Sequence, residues 1–156
     1  MFRFEWICRL ALALWVGGIA LFTFIVTPAV FRSQGKDAAG KIVGAIFPLY
    51  FRYLLVVTGA VFLFRILSGA ALHGARQWAG TVILASAVVL TGYQAYRLAP
   101  RMEEVKRSVA SFESVPPDDP ARKEFSRLHG ISMALNLVVL LEGAALIVGG
   151  DWFRAG

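Results

Sequence analysis

Charge is scarce in this chain: only 17% of its 156 residues are Asp, Glu, Lys or Arg, against about 25% in an ordinary soluble domain. Cysteine is nearly absent. Cys8 alone excludes an internal disulfide and any CxxC metal or redox motif. Histidine occurs only at His73 and His129. Walker loop, dinucleotide-binding glycine fingerprint, HExxH and nucleophile elbow are all missing, so no soluble-type catalytic constellation is visible. What the chain has instead is apolar surface: 58% hydrophobic residues and a mean hydropathy of +0.65. That balance belongs to a membrane protein. Basic residues outnumber acidic ones, 16 to 10, but they sit between apolar runs, where they set topology, so nucleic acid is not an expected partner.

Four apolar segments approach the roughly 20 residues that span hydrocarbon. They run over about 6–31, 49–72, 78–98 and 130–150, continuous rather than alternating, which points to helices and not strands. The first follows Arg3 and Arg9 as a signal peptide would, yet it is too long for an h-region and no A-x-A-like site follows, so it is expected to be retained. Pro48 is expected in the first turn of the second span, where a missing N–H is harmless. Trp6, Trp78 and Trp152 mark one set of ends, as in an interfacial aromatic belt.

The 1–2 and 3–4 connections carry Arg32, Lys36, Lys41, Arg101, Lys106, Arg107, Arg122, Lys123 and Arg127, whereas the other side holds Arg3, Arg9, Arg76 and Arg154. The positive-inside rule then puts both termini outside and the basic loops in the cytoplasm, in the plasma (inner) membrane. Met102, Val105, Val109 and Phe112 recur at helical spacing after Pro100, VPPDDP breaks that helix, and Asp119–Pro120 makes a good start for another. The expected fold is an all-α, four-transmembrane-helix bundle, one domain over 1–156, with a helical cytoplasmic extension between spans three and four.

Glu142 sits inside NLVVLLEGAALIVGG, where a carboxylate at mid-helix costs roughly 2.5–3.5 kcal/mol on insertion scales. Counting back from Leu72 and Gly150 puts Arg65 and Glu142 about equally deep, roughly 10–12 Å. The first reading is a structural ion pair between them, with Thr58 on the same face as Arg65. The second is a site for a cation, a metal or a proton, and the third has Arg65 snorkelling outward while Glu142 faces a water-filled cavity. A separate cluster is expected at the cytoplasmic end. His129, Ser132 and Asn136 share one face of span four and are positioned to meet Arg52, Gln94 and Arg97, either as interhelical hydrogen bonds or as a head-group or small-solute pocket. Topology puts His73 and His129 on opposite membrane sides, and Cys8 far from His129, so no metal site is expected. GKIVG (40–44) reads as tight packing of a re-entry segment before span two.

WVGG with the later VTPAVF, AAGKIVGAIFPLYF and FSRLHGISMALN resemble the transmembrane protein 205-like family, a four-span domain without an established activity. The matching positions are Trp15, Gly18, Pro28, Gly40, Gly44, Phe47, Pro48, His129, Ser132 and Asn136. More remotely the architecture is similar to copper-resistance D-type and J-type protoporphyrinogen oxidase membrane proteins. Some of those hold haem with a first-helix histidine about seven residues before a tryptophan. The corresponding residue before Trp15 here is Cys8, which departs from that pattern. Three functions follow as expectations: binding or moving a small solute through a polar intramembrane site, haem- or metal-binding redox chemistry, and a non-catalytic structural or assembly role. The partners implied are the lipid bilayer, a small solute or metal-containing ligand, and another copy of the chain.

Overall fold

In a bilayer a backbone N–H or C=O finds no water, so an apolar run must satisfy its own polar groups, and a helix does that within one segment. The computed structural model describes residues 2–67, 75–109 and 111–149, and among these every long element is helical. The elements are α1 (Phe2–Leu21), a π-helical turn (Phe22–Val26), α2 (Thr27–Ser33), α3 (Lys36–Leu67), α4 (Ala75–Tyr93), a second π-helical turn (Gln94–Leu98), α5 (Ala99–Ser108) and α6 (Pro120–Gly149). Four stretches, Trp6–Ser33, Lys36–Leu67, Gln77–Ser108 and Pro120–Gly149, are long and apolar enough to cross a membrane. Leu72, His73, Gly150, Trp152 and Arg154, which entered the depth, metal and topology expectations, lie outside the described residues.

The helices form a ring in which α1 packs on α3 and α6, and α4 packs on the same two. Trp15, Ile19, Leu54, Val61, Leu84, Ala87, Val139 and Leu146 fill its centre. Leu49, Val56, Leu63, Val82, Val89, Leu141 and Val148 point outward, the inverse of a soluble bundle and the surface a lipid tail requires. Small residues set the closest approaches. A Cβ on Gly143 would lie 2.7 Å from Val16 and 3.2 Å from the Trp15 ring, and one on Gly18 would lie 2.9 Å from Tyr53, whose hydroxyl donates to the Leu14 carbonyl at 2.8 Å.

Both π-helical turns end two residues before a proline, Pro28 and Pro100. Proline has no N–H and crowds the carbonyl four residues back, so the preceding turn widens: Thr27 N–H donates to Phe22 and Ala99 N–H to Gln94, one residue further back than in an α-helix. The chain thereby continues through both prolines without a break.

The helices outrun the apolar segments that mark them. Span two begins at Lys36, so Pro48 lies in the helix interior and not in its first turn. GKIVG is therefore helical and belongs to span two. α6 runs unbroken from Pro120, capped by Asp119, whose carboxylate accepts the Arg122 N–H at 2.9 Å, and at 30 residues it is about 45 Å long, beyond the hydrocarbon thickness. The surplus projects at the loop end with α5. There Met102, Val105 and Leu128 make a second small core, and Phe112 packs on Phe125 with ring centroids 4.9 Å apart. Asp37 at the start of α3 ties the connection down, accepting from Ser111 Oγ at 2.6 Å and Phe112 N–H at 2.7 Å.

Candidate functional site

Near the terminal end of the bundle, Arg65 is fully buried and donates to the Gln77 side-chain oxygen at 2.6 Å, the Gln77 carbonyl at 2.7 Å and Thr81 Oγ1 at 3.3 Å. All three acceptors belong to the first turns of α4. Glu142 does not join them: among the described residues no ion pair links it to Arg65, and the side chain near it on α4 is Ser86. Ser86 lies five residues, about 7.5 Å, further along α4 than Thr81. The expected pairing does not form in the structure. Arg65 is turned to Gln77 and Thr81 on α4 instead, whereas Glu142 lies on α6 with no basic side chain in an ion pair with it among the described residues. Glu142 Oε2 and Trp15 Nε1 are buried without a hydrogen-bond partner. Thr58 is buried too, but its hydroxyl is spent on the Leu54 carbonyl of its own helix at 2.8 Å.

The second cluster does assemble, with a different membership. Asn136 accepts from the Tyr50 hydroxyl at 2.9 Å and donates to Thr23 Oγ1 at 3.1 Å, and Ser132 donates to Gln94 Oε1 at 3.3 Å. These bonds tie α6 to the first π-helical turn, to α3 and to the second π-helical turn. Arg52 and Arg97 are exposed and stay out of it: they project from the bundle, as long cationic side chains do when their stems can run along the apolar exterior. Thr23 and Tyr50 were not anticipated. Thr23 reaches Asn136 from within a π-helical turn, where ordinary helical spacing no longer assigns faces; the TFIVTP run ahead of Pro28 was the available signal.

Below this lock a cavity of about 300 Å³ opens between the first π-helical turn, α3 and α6. Thr23, Thr27, Tyr50, Ser132, Asn136 and His129 are its polar lining residues, and Phe22, Phe47 and Phe51 make much of its apolar wall. Phe22 stacks on Tyr50 at 4.4 Å between centroids, which fixes the phenol toward Asn136. Aspartate, glutamate, lysine and arginine are all missing from the lining. A larger cavity of about 770 Å³ lies nearer the loops between α3, α5 and α6, and the two share Thr27, Phe47 and His129. His129 lies parallel to Phe125, 6.0 Å away, with Nδ1 buried and unpartnered.

No group of three His, Cys, Asp or Glu that could hold a metal occurs among the described residues. Cys8, which stands where the resemblance to copper-resistance D-type proteins would put a histidine, is buried near Arg65 and lines neither of these two cavities.

Residues 10–111, well over half of the chain, match the family described as a domain of unknown function, DUF4149. The chain belongs to that family. An uncharacterized protein of Aquifex aeolicus (strain VF5) is 28% identical over 137 residues, covering 85% of this chain and 88% of its own. No solved structure matches. The DUF4149 match covers Trp15, Thr23, Pro28, Gly44, Tyr50 and Gln94 but stops short of His129, Ser132 and Asn136, so it takes in one side of the polar lock and not the other. The likenesses to transmembrane protein 205-like and copper-resistance D-type proteins remain resemblances of sequence motif.

Proposed function

We propose that this DUF4149 protein binds a small, uncharged, mainly apolar solute within the bilayer and lets it move between the bundle interior and the loop side. The observation that carries the reading is the character of the 300 Å³ cavity: it is at the lower end of the size range of ligand sites, it lacks ionised walls, and it offers a few convergent hydrogen-bonding groups. A charged solute would meet no counter-charge there. A neutral one with a single hydroxyl or carbonyl would find Ser132, Asn136 or His129. Phe24, Met133 and Leu137 line the same cavity and are exposed on the bundle surface, which supports entry from the lipid. The site residues are then Thr23, Tyr50, Gln94, His129, Ser132 and Asn136, while Arg65, Thr58 and Glu142 belong to the frame.

The reading includes a single four-span domain in the plasma membrane with both termini outside, supported by the basic residues at the loop end. Reporter fusions at residue 114 and at Ala75 test the orientation, the first expected inside and the second outside.

Photolabelling tests the binding. A diazirine-bearing aliphatic alcohol, added to proteoliposomes and mapped by mass spectrometry, should label residues 22–27 and 129–137 in a saturable way, and Asn136→Leu should abolish the saturable part. Labelling spread evenly over the lipid-facing surface would defeat the proposal.

A further inference from the structure

The larger cavity carries charge of one sign. Lys36, Lys41, Lys106, Arg107 and Arg122 line it, against the single carboxylate of Glu103. Positive-inside topology requires basic residues at this end of the bundle, but it does not require them to gather around one half-open groove, with Lys36, Lys41 and Arg107 exposed at its mouth and Lys106 and Arg122 partly buried. Two of them are held there. Lys106 keeps only 19% of its side chain exposed; its ammonium donates to the Gly40 carbonyl at 2.8 Å and lies 3.8 Å from Glu103. The group rests over Gly44, where a Cβ would come within 2.5 Å of Nζ, so the glycine is what lets the ammonium lie against α3. Pro48 cannot answer the Gly44 carbonyl, which makes this turn a favourable place for a cation. Arg122 is fixed by donating to the Val115 carbonyl. Converging cations repel in a medium of low dielectric, and one carboxylate does not balance them. The remaining wall is apolar: Val43, Phe47, Met102, Phe112 and Phe125.

A cationic rim over an apolar floor, at the ends of membrane-spanning helices, is complementary to one kind of molecule. We propose that this vestibule is a binding site for an acidic phospholipid of the surrounding bilayer. Its phosphate sits among Lys36, Lys41, Lys106 and Arg107, and the start of an acyl chain lies against Phe47, Phe112 and Phe125. Arginine and lysine clusters at the cytoplasmic face attract acidic lipid in general; the apolar-floored groove between α3, α5 and α6 makes this a site with a stoichiometry. It rests on its own observation, the cationic rim, and adjoins the neutral-solute cavity, which has no cation and shares Thr27, Phe47 and His129 with it.

The test uses the full chain in nanodiscs of phosphatidylcholine doped with phosphatidylglycerol, followed by native mass spectrometry of the released protein. One bound phosphatidylglycerol is expected in preference to phosphatidylcholine. The triple variant Lys36→Gln, Lys41→Gln, Arg107→Gln removes cations that hold no element together, and should weaken the preference by about fivefold per cation. A control of equal charge, Arg32→Gln, Arg101→Gln, Lys123→Gln, lies outside the cavity and should keep it. Gly44→Leu, which fills the cavity without changing charge, should also lose the lipid. Melting temperature in pure phosphatidylcholine discs reports whether each variant is folded. Equal loss in the control, equal retention of phosphatidylcholine, or displacement of the lipid by millimolar inorganic phosphate would each overturn the assignment.

Discussion

The two polar clusters of the bundle are built at different ranges of the chain. Arg65 and its partners Gln77 and Thr81 are 12 and 16 residues apart, so that cluster fastens one helical hairpin, α3 to α4. Asn136 reaches back 86 residues to Tyr50 and 113 to Thr23, and Ser132 reaches 38 to Gln94. The first could form in a nascent hairpin; the second exists only once all four spans have met. The first is filled by a charge whose acceptors are in place; the second borders empty volume. One fastens a hairpin, and the other joins all four spans beside a cavity.

Substitutions can break that contrast, beginning with the strongest. Arg65→Ala removes a large buried side chain and leaves the Gln77 side-chain oxygen without its donor, and should lower stability by about 2–5 kcal/mol, read as thermal unfolding in detergent. Solute labelling should survive wherever the protein folds. Gly143→Ala drives a methyl into Val16 and Trp15 and should cost about 1–3 kcal/mol, whereas Gly17→Ala, with nothing within 4 Å of the added carbon, should be neutral or stabilising by up to about 1 kcal/mol. Asn136→Ala leaves the Tyr50 and Thr23 hydroxyls without their partner and should cost about 1–2 kcal/mol, with part of that loss absent in a Tyr50→Phe background. The smallest effect is a null. Arg65→Met and Glu142→Gln share no hydrogen-bond partner, so their losses should add within about 0.5 kcal/mol; a larger deviation would mean the two charges are coupled after all.

The four spans were legible because lipid imposes a single local rule, a long apolar run, on each. Asp119–Pro120 was legible for the same reason: a cap is decided by a few adjacent residues. Pairings across the bundle obey no such rule. Arg65 and Glu142 were counted to one depth along their own axes, but depth says nothing about which neighbour a side chain faces, and the outer ends used for the count lie outside the described residues. His129, Ser132 and Asn136 could be placed on one face because α6 is a regular helix. Thr23 could not, because the widened turn ahead of Pro28 rotates the residues before it relative to those after it. Tyr50 was hidden differently: an aromatic in a membrane span reads as core or interface, and its hydroxyl gains a role only when Asn136 is opposite.

The proline-linked turns have a mechanical side as well. Helix kinks gather at π-helical turns and prolines, so each is the place where its span would bend, one in span one at Phe22–Val26 and one in span three at Gln94–Leu98. Both turns border the polar lock, since Thr23 belongs to one and Gln94 to the other. Below them α2 and α5, which both line the vestibule, would then swing as short levers; above them Trp15 lies in the packed core. A tilt of the levers would widen or narrow the lower cavity while leaving the upper core undisturbed. The two hydrogen bonds at Asn136 and Ser132 would be the latch that such a movement has to release.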